Sequence, residues 1–274
     1  MSNQNFAITF ACYNQVDYTL RCIQSLQRAG VDLSKVVAVD NHSSDETLAE
    51  LRKLPLGQVI ANSQNYGCGV AWNQGALALQ AEWTIVMNND IVVSANWLNG
   101  LLTGAQKRGW LVASPAMIEG ALDYNLEQIA SQGESQLAEA SRDGIPHAVC
   151  MAIHRSVWQR VGFFRATPRL LGYEDSIFFA GLKREGIPCG TLGSSWIHHF
   201  GSVTQTAMKR EQGLKAGQGL GDRFHAEMGR KNWFQRKLDK HLVRSLTHQY
   251  RVSELAQTGM SLHGERKDGN FVWL

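Results

Sequence analysis

Polar residues with chemical capability end or open four apolar segments of this 274-residue chain. Val36-Val-Ala-Val39 stops at Asp40, and Trp83-Thr-Ile-Val-Met87 stops at Asn88-Asn89-Asp90. Glu174-Asp175 opens a segment of helical period, and His198-His199 follows Trp196-Ile197. In a parallel α/β sheet, ligands bind at the carboxyl ends of the strands, which is where Asp40 and Asp90 fall. A carboxylate at Asp90 can hold a divalent cation, and the cation a diphosphate, although Asn and Asp also make ordinary turns. Asp40 suits hydrogen bonds from a base or ribose, or the capping of its own turn. Adjacent carboxylates repel, which suits one of Glu174 and Asp175 to proton abstraction; the helix dipole alone would also favour acids there. A histidine pair after a strand suits a metal or phosphate contact, and spacing does not choose between His198 and His199.

The elements that must position these groups alternate. Strands are expected at Phe6–Cys12, Val36–Asp40, Gln58–Ala61 and Trp83–Met87 from their short apolar, β-branched runs. Between them lie helical periods from Asp17 to Gly30, from Ser43 to Leu54 (Ser43 and Glu46 have capping-box spacing) and from Val70 to Leu79. Such β-α-β-α-β-α-β order implies a mostly parallel sheet with helices on both faces. Gly67 and Gly69 open the third helix and allow either close backbone approach to a phosphate or a tight turn. No GxGxxG follows the first strand and no GxxxxGK[ST] occurs, which disfavours a dehydrogenase or P-loop enzyme. Further on, a helix runs from Ser94 towards Gly109 and a strand from Leu111 to Met117. Residues 119–144 are polar and mixed in sign, reading as a loop or small insertion over the active face, or as a merely solvated insertion. His147–Ile153 reads as a strand, Arg155–Val161 as a short helix, and Glu174–Gly186 as another helix.

Bulk properties narrow the classes. A hydrophobic fraction of 44% and a charged fraction of 19% are those of a soluble globular protein. The net charge of +3 is too small to argue for nucleic acid. There is no transmembrane run, and the first residues lack the basic region of a secretory signal. Cys12, Cys22, Cys68, Cys150 and Cys189 are scattered without CxxC spacing, so reduced thiols in a cytoplasm fit best.

Taken in order, Thr9-Phe-Ala-Cys-Tyr-Asn14, Val39-Asp-Asn-His-Ser-Ser-Asp45, Asn65-Tyr-Gly-Cys-Gly69 and Asn88-Asn-Asp90 resemble the motifs of family 2 glycosyltransferases with the GT-A fold. The pattern is similar to the bacterial rhamnosyltransferase-like group. Gly162-Phe-Phe, Tyr173-Glu-Asp175 and Leu182-Lys-Arg-Glu-Gly186 continue it through the acceptor half. The resemblance implies a GT-A catalytic domain over residues 1–205, with a nucleotide-sugar half to about residue 117 and an acceptor half from about 118; it does not cover residues 206–274, which read as a basic loop and helical extension. It implies Tyr13, Asn14, Asp40, Asn65, Gly67 and Asn89 as donor nucleotide contacts. Asp90, His198 and His199 are its metal contacts, for Mg²⁺ or Mn²⁺. Asp175 is the implied base, with Glu174 as support or acceptor contact. One departure is plain: Asn88 stands where a strict DxD motif has its first acid, which leaves Asp90 as the motif's only carboxylate for the metal.

The expected activity is inverting transfer from a nucleotide-diphosphate sugar to a hydroxyl of a glycan, lipid-linked or protein acceptor, in bacterial surface polysaccharide or glycoconjugate assembly. Two rivals stand beside it. A nucleotidyltransferase would want a basic phosphate loop near the first strand, and none occurs between Tyr13 and Tyr18. A sugar-nucleotide- or glycan-binding scaffold subunit is favoured by Asn88 and opposed by the intact Glu174-Asp175 pair. In the tail, Lys209, Arg210 and Lys215 suit a loop closing over a diphosphate. From Arg230 to Tyr250 a basic amphipathic helix is expected. It has three readings: packing on the catalytic domain, pairing in a homodimer, or lying on an acidic membrane surface near a lipid-linked acceptor.

Overall fold

The computed structural model describes residues 5–166, 174–201, 203 and 233–274; side chains within 233–236 and at 239 and 240 are not described. Tyr173, Ser202, Lys209, Arg210 and Lys215 therefore lie outside the described residues.

The first half follows the expected alternation. Strands β1 (Phe6–Cys12), β2 (Val36–Asp40), β3 (Gln58–Ala61) and β4 (Trp83–Asn88) run parallel in the order β3-β2-β1-β4. Every residue of β2 is buried, as a strand covered on both faces requires. Helix α1 (Val16–Arg28) turns Cys22, Ile23 and Leu26 into the core beneath β1, joined there by Ile8, Phe10, Ile85 and Met87. Helix α3 (Cys68–Ala78) covers the opposite face, with Trp72 packed among Val86, Met151 and Phe164. The short helix α2 (Thr47–Leu51) starts later than the capping-box spacing predicts. Ser43 does not cap it: its hydroxyl accepts from the Asn14 amide, and Asp45 accepts from Thr47 instead.

Beyond β4 the sheet changes character. Strand β5 (Ile91–Val93) leads to helix α4 (Trp97–Arg108), then β6 (Val112–Gly120) extends three residues past its expected end. The polar stretch after it is no open loop. It holds helix α5 (Leu126–Leu137) and strand β7 (Ser141–Asp143). Strand β8 (Cys150–His154) inserts antiparallel between β4 and β6. Helices α6 (Arg155–Arg160) and α7 (Glu174–Arg184) precede β9 (Cys189–His199), which pairs parallel with β6. The β6–β9 register shifts between Pro115 and Ala116, and two hydroxyls fasten the bulged stretch to α4, Ser194 to the Gly100 carbonyl and Ser195 to the Trp97 carbonyl.

The C-terminal segment is more than a helical extension. Helix α8 (Trp233–Thr258) leads into β10 (His263–Lys267), which adds parallel to β6, and β11 (Asn270–Trp273), which closes a hairpin. Arg142 clamps this segment with a buried bidentate pair to Glu254 at 3.0 and 2.9 Å, and its Nη2 also reaches Ser261 and the Leu274 carbonyl. Among the described residues, the N-terminal part of α8 has no such seat: Leu238, Leu242, Val243 and Leu246 are exposed. No helix among the described residues is long and apolar enough to cross a membrane.

Candidate active site

Parallel pairing fixes the first pair of acids. With β1 in the middle, Cys12 lies beside Asp40 on one side and Ala11 beside Asn88 on the other. Both acid-bearing strand ends thus open on one sheet edge where the strand order reverses, the crevice in which open α/β sheets take ligands.

Asp40 is 1% exposed. Its Oδ2 accepts from the Ser43 amide at 3.2 Å, while the buried Oδ1 has no hydrogen-bond partner among the described residues. The surrounding loops are locked to one another. Asn14 and Gln15 adopt left-handed backbone, with φ of 54° and 63°. From there Asn14 Oδ1 accepts from the Ser44 amide at 2.7 Å and Asp45 accepts from the Val16 amide. Tyr13 is half-buried beside them. Asn41 joins the β2 end to the α3 entry: its Nδ2 donates to Asn65 Oδ1 and to the Gly67 carbonyl. Its Oδ1 accepts from Asn62 and from the Tyr66 amide. Gly67 holds φ 89° and ψ 162°, a conformation open in practice to glycine alone.

The triplet divides its labour. Asn88 Nδ2 lies 3.5 Å from His199 Nε2. Asn89 donates to Thr19 of α1 at 2.9 Å. Asp90 is 3% exposed; its Oδ2 accepts from the Val203 amide and its Oδ1 stands 3.4 Å from His199 Nε2.

The two neighbouring histidines face opposite ways, because consecutive residues of a strand alternate. His199 points to Asp90, and its Nδ1 lies 2.9 Å from Glu119 Oε1. The other oxygen of Glu119 lies 3.1 Å from His263 Nε2 on β10. Burial pulls the His199 pKa down, but hydrogen bonds to Asp90 and Glu119 outweigh it and raise the value to about 9. Glu119 is held well below the usual carboxylate range by its bonds from His199 and His263. His198 instead meets the Tyr124 hydroxyl through Nδ1 at 2.9 Å and packs edge-on to Phe200. Burial, then the charge of His199, lowers its pKa to about 4. The geometry therefore separates a pair that the sequence left undivided, with His199 beside Asp90 and His198 packed against Tyr124.

Two groups able to donate to a metal, Asp90 and His199, lie beside one another, with Oδ1 and Nε2 3.4 Å apart. No group of three or more His, Cys, Asp or Glu side chains is arranged for a metal among the described residues. That set fits an ion of the Mg²⁺ or Mn²⁺ kind, which takes few protein ligands and completes its shell with phosphate and water. Donors about 3 Å apart suit octahedral bonds of about 2.1 Å, close to the 3.4 Å seen here.

Glu174 and Asp175 begin α7, and they differ. Glu174 is buried against the start of α3, where the Gly69 amide donates to it. A Cβ at Gly69 would lie 2.9 Å from Glu174 Cγ, so glycine is what lets the acid reach the helix end. Burial raises the Glu174 pKa, and the charge of Asp175 adds to it. Asp175 is half-buried and its Oδ1 accepts from the Ser176 amide at 2.7 Å. Asn73 and Phe164 exchange two hydrogen bonds nearby, so α3 carries both the nucleotide-side loop and the approach to α7. The Cys68 thiol is pushed up first by burial and then by the charges of Glu174, Asp90 and Asp175. All five cysteines are free thiols.

Glycosyl transferase family 2 matches residues 8–162, more than half of the chain and including both strand-end acids. The chain belongs to glycosyl transferase family 2. A relative of this family 2 chain, the succinoglycan biosynthesis protein ExoO of Rhizobium meliloti (strain 1021), is 33% identical over 132 residues. The match takes in 46% of this chain and 38% of that protein's length. Among solved structures, the mannosyltransferase PcManGT from Pyrobaculum calidifontis, in complex with GDP-Man and Mn²⁺, superposes with a TM-score of 0.57 at 14% identity, covering 93% of this chain and 85% of the other. TarS residues 1–349 of S. aureus, in complex with UDP-GlcNAc, gives 0.56 at 16% identity, covering 74% and 60%. These likenesses show the fold, and it is the GT-A fold that the ordered motifs imply.

Asn41, Glu119, Tyr124 and His263 hold this family 2 site together and were not singled out by sequence reasoning. Asn41 lies within the motif Val39–Asp45 and had a local signal. The others had none, since each acts across more than 70 residues of chain.

Proposed function

We propose that this chain transfers a sugar from a nucleotide-diphosphate sugar to an acceptor hydroxyl, with inversion, in the assembly of a bacterial polysaccharide. The observation that carries the reading is that Asp40 and Asn88-Asn89-Asp90 end parallel strands on one sheet edge, with Asp90 Oδ1 3.4 Å from His199 Nε2. Asp40 Oδ1 accepts a hydrogen bond from the nucleoside, within loops pre-set by Asn14, Asn41 and Asn65. Asp90 and His199 hold the divalent cation. Mg²⁺ or Mn²⁺ bound there supplies positive charge to a departing diphosphate. Glu174 braces the α3 end, and Asp175 removes the proton from the acceptor hydroxyl as its oxygen attacks the anomeric carbon opposite the leaving group.

The acceptor is a glycan, lipid-linked or protein hydroxyl, in the cytoplasm where sugar nucleotides are made. A lipid-linked acceptor is the reading that the exposed leucines of α8, next to Lys237 and Arg244, favour: an apolar stripe flanked by basic groups suits an anionic membrane surface.

The test is a panel of UDP-, GDP- and dTDP-sugars with Mn²⁺ or Mg²⁺, read by thermal shift and by nucleotide release. One donor should give a metal-dependent shift and slow release. Asp175→Asn should keep the shift and lose turnover by about 10²–10⁴-fold, the contribution of a general base. Retention of most of the turnover removes Asp175 from the role. A donor shift without release from the parent chain would favour a binding subunit, the reading that Asn88 supports.

A further inference from the structure

We propose that Glu119 and His263 are positioning residues of the cation site, so that the C-terminal strand β10 is part of the transfer machinery. The inference rests on the reading of Asp90 and His199 as the cation's protein ligands.

The argument begins with sheet register. Strand β6 lies between β9 and β10, pairing Glu119 with His199 on one side and Met117 with His263 on the other. Residues two apart on a strand share a face, so Glu119, His199 and His263 all project from the same face of three adjacent strands. The contacts agree. Glu119 Oε1 lies 2.9 Å from His199 Nδ1 and Oε2 lies 3.1 Å from His263 Nε2, so each oxygen serves one imidazole. His199 Nε2 then faces Asp90 Oδ1 at 3.4 Å and Asn88 Nδ2 at 3.5 Å.

An imidazole can turn about its χ angles and exchange its two nitrogens. A carboxylate on Nδ1 fixes the ring plane and keeps the proton on that nitrogen, leaving Nε2 for a metal, and such outer partners commonly weigh 10–100-fold in metal affinity. Glu119 is a flexible side chain and needs its own restraint. His263 supplies it from β10, the strand that follows the end of α8 where Arg142 and Glu254 pair. The chain order makes this arrangement costly to assemble by accident: Glu119 and His263 are 144 positions apart.

The experiment uses the full chain and its Glu119→Gln, His263→Gln and Asp90→Asn variants. Mn²⁺ is titrated by electron paramagnetic resonance in the presence of UDP, GDP or dTDP in turn, and thermal melting is recorded without metal. Glu119→Gln should weaken Mn²⁺ binding by about 10–100-fold, and His263→Gln by less, while the metal-free melting temperature of His263→Gln stays close to the parent's. A purely structural role would lower the melting temperature and leave Mn²⁺ affinity alone. His263→Gln keeps the test alive should Glu119→Gln fail to fold, because the His263 side chain is 30% exposed and lies at the outer end of the relay. Unchanged Mn²⁺ affinity in the folded relay variants, with affinity lost in Asp90→Asn, overturns the proposal and spares the reading of the site. Unchanged affinity in Asp90→Asn as well, or no Mn²⁺ binding by the parent chain, overturns that reading and this proposal with it.

Discussion

Asp40 and Asp90 end neighbouring parts of one sheet and are equally buried, yet they are held in opposite ways. Asp40 is fixed by an amide three residues away, in loops that fasten to one another within the first 70 residues, and one of its oxygens has no partner among the described residues. Asp90 is fixed by groups more than 100 residues away, His199 and the Val203 amide, and both its oxygens are engaged. A buried oxygen without a partner is costly unless a ligand donates to it. The Asp40 end is thus a preformed acceptor for a neutral N–H or O–H. The Asp90 end faces the His199 imidazole, whose Nε2 stands 3.4 Å from Asp90 Oδ1. On the proposed function, local construction makes the nucleoside end of the site, and contacts more than 100 residues apart make the charge end.

The largest break in this comparison is Asp90→Ala. Loss of the carboxylate should cut transfer by about 10³-fold, a contribution of several kcal/mol to charge stabilisation, and should remove the response to Mn²⁺ while leaving nucleoside binding measurable by calorimetry. Comparable nucleoside and metal losses would mean that the two ends are one site. Next in size is Arg142→Ala, which strands Glu254 in the interior. The buried pair predicts a loss of about 3–5 kcal/mol in urea unfolding. Because this clamp holds β10, Mn²⁺ binding should suffer before nucleoside binding does.

The same contrast explains what the sequence disclosed. Strands β1 to β4 and their helices are built from contiguous apolar runs, and the polar residues that end them are visible as interruptions. Asp40, Asn88-Asn89-Asp90 and Glu174-Asp175 could all be read that way. The second half hides its structure. Helix α5 buries Leu126, Ala130, Gly133 and Leu137, a stripe whose middle members are small, so a polar composition masked the period. Gly133 is small for a reason: a Cβ there would lie 2.3 Å from the Trp196 ring. The insertion of β8 and the return of β10 to Met117 depend on partners far along the chain, and no local pattern announces such pairing. His198 and His199 were indistinguishable because strand alternation tells which residues oppose each other, not which side faces the acid.

Smaller effects sharpen the contrast. Asp40→Ala removes one charged acceptor, worth about 1.5–3 kcal/mol, so the donor KM should rise by about 10–100-fold with a lesser change in kcat. A fall in kcat with unchanged KM would instead tie Asp40 to the reacting centre. Gly69→Ala tests the bridge between the two ends: crowding Glu174 should cost about 1–3 kcal/mol of stability and lower kcat through Asp175. Stability lost with kcat intact would make Glu174 a packing contact only.

The smallest effect needs no ligand. Burial works to raise the Glu254 pKa, but the Arg142 guanidinium outweighs it and holds the group below its ordinary value. A carboxyl lowered on folding stabilises the protein above its unfolded pKa, about 4.3, and loses that contribution as pH falls through the folded value. Melting temperatures of the parent chain and Glu254→Gln should therefore differ most near pH 7 and converge below about pH 4. Other carboxyls titrate over the same range, so the difference between the two proteins is the quantity that isolates this pair. A gap that stays constant to pH 3 would show that Glu254 acts by shape rather than charge. The C-terminal clamp, and with it the long-range support of the Asp90 end, would then owe nothing to its ionisation.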